Sequence, residues 1–263
     1  MSVSLSFPRE ESYIASLSLD FGDLNLLTPT AVRELASTIQ SIPDDVAILI
    51  LEAKPQDNHA DSTRGLTAGL DLRWAHERSP HEGYDFLELL YETIQQLRNL
   101  PVVTVCNCGE YAIGAGLELA MACDFRIATK NAKLGLPEID VGIPTVIHGG
   151  LLIPLVGLQT ATELIFTGKL ISGVEAESIA LVNEAPPQNE IETSVTELID
   201  TLAEKSPSVL KQQVKVMHHF RSMGLEAGMQ SSSAEISRSF GTDDQQEAMK
   251  AFLEDRDPSF SGS

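Results

Sequence analysis

Two carboxylates and a run of small residues form the most chemically suggestive unit of the chain. Glu118 interrupts the apolar run Leu117-Glu-Leu-Ala-Met-Ala122, and Glu138 follows in Leu136-Pro-Glu. An ionised carboxylate among aliphatic side chains is costly unless it is paired, hydrated or used. Gly114, Ala115 and Gly116 keep the start of the same segment bare. A ligand can therefore approach helix N–H groups that no preceding turn satisfies. Donors beside one carboxylate, with a second acid to follow, suit proton transfer next to a carbonyl whose oxygen gains negative charge.

The elements that must position this unit alternate strand and helix. Tyr13–Leu19 has the period of two of a strand, and Thr28-Pro-Thr-Ala31 carries an N-cap and a first-turn proline. Val46–Leu51 is a short apolar run suited to a buried strand. A polar loop follows from Lys54 to Gly69, then a helix from about Tyr84 to Leu97. Pro101–Cys106 is predicted as the strand feeding the helix that begins near Gly114. Phe125–Ala128 and Leu134–Ile139 are predicted extended, Thr145–Leu155 helical, and Leu181–Val182 a last short strand. Ser172-Gly-Val-Glu175 has capping-box spacing.

From about Asn189 only helical patterns remain: Ile191–Leu202, Ser206–Phe220, Leu225–Phe240 and Asp243–Leu253. Their apolar faces need the core, a neighbouring subunit, or both. The expected organisation is an α/β core over residues 1–188 and a helical region over residues 189–263.

Composition limits the function further. The chain has 263 residues, enough to bury a sizeable core. The 38 acids against 18 bases give a net charge of −20, which disfavours nucleic acid and anionic membrane as partners. The acids are spread along the chain, as on a solvated surface, and such a charge suits a host with high internal salt. Cys106, Cys108 and Cys123 lack CxxC spacing and read as buried packing thiols, so no metal site is expected. The first residues lack a secretory pattern, and no apolar run reaches membrane-spanning length, so the expected location is the cytoplasm.

Four segments, in order, resemble the enoyl-CoA hydratase/isomerase (crotonase) family. Leu66-Thr-Ala-Gly-Leu-Asp-Leu72 is similar to its A-G-x-D segment. Gly109-Glu-Tyr-Ala-Ile-Gly-Ala-Gly-Leu-Glu-Leu-Ala-Met-Ala-Cys-Asp124 is similar to its G-x-A-x-G-G-G-x-E-L-A-x-x-C-D run. Leu134-Gly-Leu-Pro-Glu-Ile-Asp-Val-Gly-Ile-Pro144 resembles F-G-x-P-E-x-x-x-G-x-x-P. Glu247–Pro258 resembles the family's E-G-x-x-A-F-x-E-x-R-x-P close.

The resemblance implies a crotonase-like spiral of ββα units with a helical C-terminal region that builds homotrimers, often paired into hexamers. It implies an acyl-CoA thioester substrate, no separate cofactor, and an oxyanion hole made by the backbone N–H groups of Ala68 and Ala115. Glu118 and Glu138 map onto the two acid/base carboxylates of hydratases. Retention of both ranks hydration of a 2-enoyl-CoA ahead of double-bond isomerisation, thioester hydrolysis or another lyase step. Gly69, Leu70, Leu72, Gly114, Gly116 and Pro137 are expected beside the substrate. Asp71 is expected there too, although it also suits a helix cap, and Arg64 could reach CoA phosphates.

Other readings of the same residues are weaker. Glu118 could form an ion pair with Arg126, and Glu138 could be a solvated loop acid. Gly114-Ala-Gly116 imitates a dinucleotide fingerprint, but Leu119 replaces its third glycine and no acid follows the next strand. A non-catalytic scaffold has no use for two retained carboxylates. His148 stands where the family segment reads G-x-G-G-x-x-R-L. Here Thr145-Val-Ile-His-Gly-Gly-Leu-Leu152 leaves His148 either in the substrate pocket or packed inside.

Overall fold

A computed structural model describes residues 2–9, 11–54 and 64–262. Part of the polar loop expected from Lys54 lies outside the described residues. Five strands form one sheet: β1 Ser2–Ser6, β2 Ile14–Asp20, β3 Ile48–Ala53, β4 Val103–Ile113 and β5 Phe125–Gly135. Each strand lies beside its sequence neighbour, with β1 antiparallel to β2 and all later pairs parallel. That stepwise order is what a spiral of repeated units requires. β1 was not anticipated, although Ser2-Val-Ser-Leu-Ser6 alternates as an edge strand does.

The period of two in β2 and β3 divides the core between the two faces of the sheet. Leu17, Leu19, Leu49 and Leu51 pack on one face with α1 (Pro29–Gln40) and α3 (Pro80–Arg98). Ile14, Ile48 and Ile50 pack on the other against Ile191, Val195 and Ile199 of α8 (Ile191–Ala203). Parallel strands covered on both faces need apolar residues at every position, as Val46–Leu51 supplies. Gln188, where the boundary was expected, opens the 3-10 turn Gln188–Glu190, which runs directly into α8.

Several element boundaries differ from expectation for local reasons. α3 begins at Pro80, ahead of Tyr84, because Ser79 and Glu82 close a reciprocal capping box. β4 continues past Cys106 to Ile113 through register shifts at Asn107/Gly109 and Gly109/Tyr111. Gly109 has φ +60, and an added Cβ would lie 1.7 Å from the Arg64 carbonyl oxygen. β5 is one continuous strand through the polar Thr129-Lys-Asn131, not two. Leu181–Val182 is not a strand: both N–H groups bond the Ala176 carbonyl, and only Glu184 bridges to Ile127.

The short helices follow in order. Leu72–Ala75 is α2, Ala115–Ala122 is α4, Leu152–Val156 is α5, Leu158–Thr167 is α6 and Gly173–Ser178 is α7. Thr145–Leu155 is therefore not one helix. Its first part is irregular and a 3-10 turn, Gly149–Leu151, precedes α5. α6 was not anticipated; it sits between Gly157 and Gly168, both with positive φ. The capping box at Ser172/Glu175 starts α7 as expected.

α9 (Pro207–Ser222), α10 (Leu225–Ser239) and α11 (Asp243–Leu253) complete the chain. Ser206 and Thr242 cap α9 and α11. Leu225, Met229, Ile236, Phe240, Phe252 and Leu253 remain exposed on this region. No helix among the described residues is long and apolar enough to cross a membrane.

Candidate active site

The first turn of α4 is built around missing side chains. Gly114, its N-cap, has φ +57, and a Cβ there would lie 2.9 Å from Glu138 Oε1. A Cβ on Gly116 would lie 2.3 Å from the Thr67 carbonyl oxygen, so the Thr67–Leu70 segment presses directly on the helix start. Thr67 secures that segment. Its hydroxyl donates to Asn25 O at 2.5 Å and accepts from Gly69 N at 3.0 Å, while its carbonyl accepts from Ile113 N at 3.1 Å. The Gly114 N–H is satisfied by Gly135 O at 2.9 Å, which ties β5 to the same corner.

The backbone donors of this corner correct one expectation. Ala68 N–H donates to Leu24 O at 3.0 Å, so it is already committed. Gly69 N–H is held by Thr67, and Asp71 N–H donates to Leu27 O. Among the described residues, the Leu70 and Ala115 N–H groups have no hydrogen-bond partner. Ala115 is the first residue of α4, where the helix dipole favours negative charge. Leu70 and Ala115 are therefore free donors on facing segments of this corner.

Both donors line a cavity of about 200 Å³ together with Ala68, Glu118, Pro137 and Glu138. Leu72 lies at its edge, and Phe86, Leu87 and Leu90 of α3 give it an apolar wall. A larger cavity of about 720 Å³ lies at the far end of α4, beside Met121 and Cys123. It contains neither carboxylate, whereas the smaller one is lined by both.

Glu118 is 2% exposed, and its Oε1 accepts the His148 N–H at 2.8 Å. Burial raises its pKa from 4.5 to about 7. N–H groups of His148 and Gly149 pull in the opposite direction, and the charge of Glu138 adds to the rise. The ion-pair alternative fails: Arg126 donates to Leu181 O at 2.7 Å and to Cys123 O at 2.6 Å. Glu138 opens the 3-10 turn Glu138–Val141 and is not a solvated loop acid. Burial raises its pKa as well, opposed by its own N–H and by the Thr145 hydroxyl, which donates to Oε2 at 3.1 Å.

The other expected residues divide. Gly69 and Gly116 provide close packing. Asp71 caps α2, accepting from Arg73 N at 2.9 Å and Trp74 N at 3.4 Å. Arg64 is directed at Asp20 and the Asp23 carbonyl, away from the cavity. The His148 ring also turns away: it stacks on Tyr91 with centroids 5.0 Å apart and meets Gln95 Oε1 at 3.0 Å. Its backbone, not its side chain, serves the site. Cys106 and Cys108 share a strand face with sulfurs 3.7 Å apart, and burial pushes the Cys106 thiol up, away from the reactive thiolate.

Thr145, Tyr91 and Gln95 were not anticipated. Tyr91 and Gln95 lie one turn apart on α3, outside its buried stripe and without a distinguishing pattern, and Thr145 has only its position seven residues after Glu138.

The family model described as enoyl-CoA hydratase/isomerase matches residues 9–263. The chain is 30% identical over 235 residues to the short-chain-enoyl-CoA hydratase of Clostridium acetobutylicum, covering 89% of this chain and 88% of that one. It is 28% identical to the crotonyl-CoA hydratase of Syntrophomonas wolfei, covering 90% of each. Its fold is similar to the crystal structure of enoyl-CoA hydratase from Bacillus anthracis, with a TM-score of 0.91, 25% identity and full coverage of both chains.

Proposed function

The chain belongs to the enoyl-CoA hydratase/isomerase family, and within it we propose that this protein is a hydratase adding water across the 2,3 double bond of a 2-enoyl-CoA. The observation that carries the reading is one small cavity lined by the buried Glu118 and the half-buried Glu138 beside two free backbone N–H groups. The thioester oxygen binds the Leu70 and Ala115 N–H groups. Each such donor lowers the barrier by about 3 kcal/mol in comparable oxyanion sites.

Glu118, ionised, takes a proton from water as its oxygen bonds to Cβ, and the electron pair of the double bond moves onto the thioester as an enolate. Glu138 then delivers a proton to Cα as the enolate collapses. Exchange of one proton between the pair resets the site. Hydration needs an acid and a base together, and a pKa of about 7 for Glu118 leaves that group divided between both forms near neutrality. The reaction so written uses no cofactor beyond the CoA of the substrate.

The exposed apolar side chains of α10 and α11 support self-association as a homotrimer or paired trimers, and a cytoplasmic location accompanies the reading. The test of the activity is loss of the conjugated thioester absorbance of crotonyl-CoA. An isomerase would leave crotonyl-CoA unhydrated and convert 3-enoyl-CoA, and a hydrolase would release CoA thiol.

A further inference from the structure

The Thr145–Gly149 loop touches both carboxylates. Thr145 reaches Glu138 by its hydroxyl, and His148 and Gly149 reach Glu118 by their N–H groups. A loop of this kind keeps its N–H groups aimed only if something else fixes it. The His148 side chain supplies the anchor: it is 5% exposed, lies flat on Tyr91 with an interplanar angle of 19°, and bonds Gln95. Gln95 Oε1 also accepts from Arg98 Nη1 at 3.5 Å. An oxygen engaged by a guanidinium requires a donor from the ring, so His148 Nε2 carries the proton. Nδ1 is then bare, and it has no partner among the described residues.

We propose that His148 is a positioning residue for Glu118: the grip of Gln95 and Tyr91 on its ring fixes the loop whose N–H groups orient the Glu118 carboxylate. It is not a proton relay. Burial, and then the charge of Arg98, lower the imidazole pKa to about 4, so the ring stays neutral where the enzyme works. The charged and titratable groups around this path are Arg98 and Tyr91 on α3 and Glu138 beside Glu118. None of them replaces the two N–H groups on Glu118. Loosening the anchor therefore weakens bonds that favour the carboxylate, and Glu118 holds its proton to higher pH.

The proposal rests on Glu118 acting as the base, so its test includes a readout independent of turnover. The protonation midpoint of Glu118 is followed by pH-difference infrared spectroscopy, with Glu118→Gln identifying its band. Gln95→Leu removes the acceptor with little change of volume, and His148→Ala removes the whole anchor. Both are expected to raise the midpoint. Both are also expected to lower kcat for crotonyl-CoA about ten- to hundredfold with little change in KM, and to move the acid limb of the rate profile upward. An unchanged midpoint in the folded variants overturns the proposal, even where kcat falls. A shifted midpoint in a protein that hydrates no enoyl-CoA would retain the positioning role and remove the proposed reaction instead.

Discussion

Gly69 and Ala115 approach so closely that a Cβ added to Gly69 would lie 3.3 Å from the Ala115 nitrogen and 2.7 Å from the Ile113 carbonyl oxygen. This contact brings two distant segments of chain together so that Leu70 and Ala115 present their N–H groups to one cavity. Gly69 also has φ +85, a conformation that costs a residue with a side chain about 1–3 kcal/mol. Gly69→Ala should therefore lower the melting temperature and the rate together. A variant with wild-type kcat would show that the contact does not hold the donors.

The same residue explains why the donor pair was only half legible in the sequence. In a regular extended segment the N–H groups of residues two apart point to the same side. The positive φ of Gly69 breaks that alternation, so Ala68 bonds Leu24 while Leu70 stays free. The motif marks the segment but not the direction of each peptide. Strands and caps were more legible because they are local: Ile48 to Leu51 alternate between the faces of the sheet, and Ser172/Glu175 close their box within one turn. The Thr145–His148 loop was not legible, because its path is set by Glu118, Gln95 and Tyr91, all remote in sequence.

Glu118 should make stability fall as pH rises. Its folded pKa of about 7 lies above the ordinary 4.5. In the acid range both folded and unfolded chains carry the proton and its burial costs little. Between the two values only the folded state keeps the proton, and above about pH 7 the full cost is present. The difference of the two values corresponds to about 3 kcal/mol. Glu118→Gln, which cannot ionise, should gain stability relative to the wild type from pH 5 to pH 8 in thermal melts. A constant difference across that range would contradict the assignment.

The net charge of −20 should make the protein salt-dependent. Self-repulsion opposes the compact state and is screened by added ions. The melting temperature should rise from low to molar KCl, as expected of a protein from a high-salt interior. A flat or falling curve would remove that reading.

Phe252 and Leu253 are 86% and 84% exposed at the end of α11. If they lie between subunits, replacing both with Asp should reduce the mass measured by light scattering from that of a trimer or hexamer to that of a monomer. A wild-type protein that is already monomeric would refute the proposed assembly.

The pairing of Glu118 and Glu138 in hydration is measured by following crotonyl-CoA with the wild type, Glu118→Gln and Glu138→Gln at high KCl. The expected result is rapid loss of the conjugated thioester in the wild type and a rate at least about a hundredfold lower in each variant. Wild-type turnover by either variant, or a wild type that leaves 2-enoyl-CoA unchanged, would contradict it.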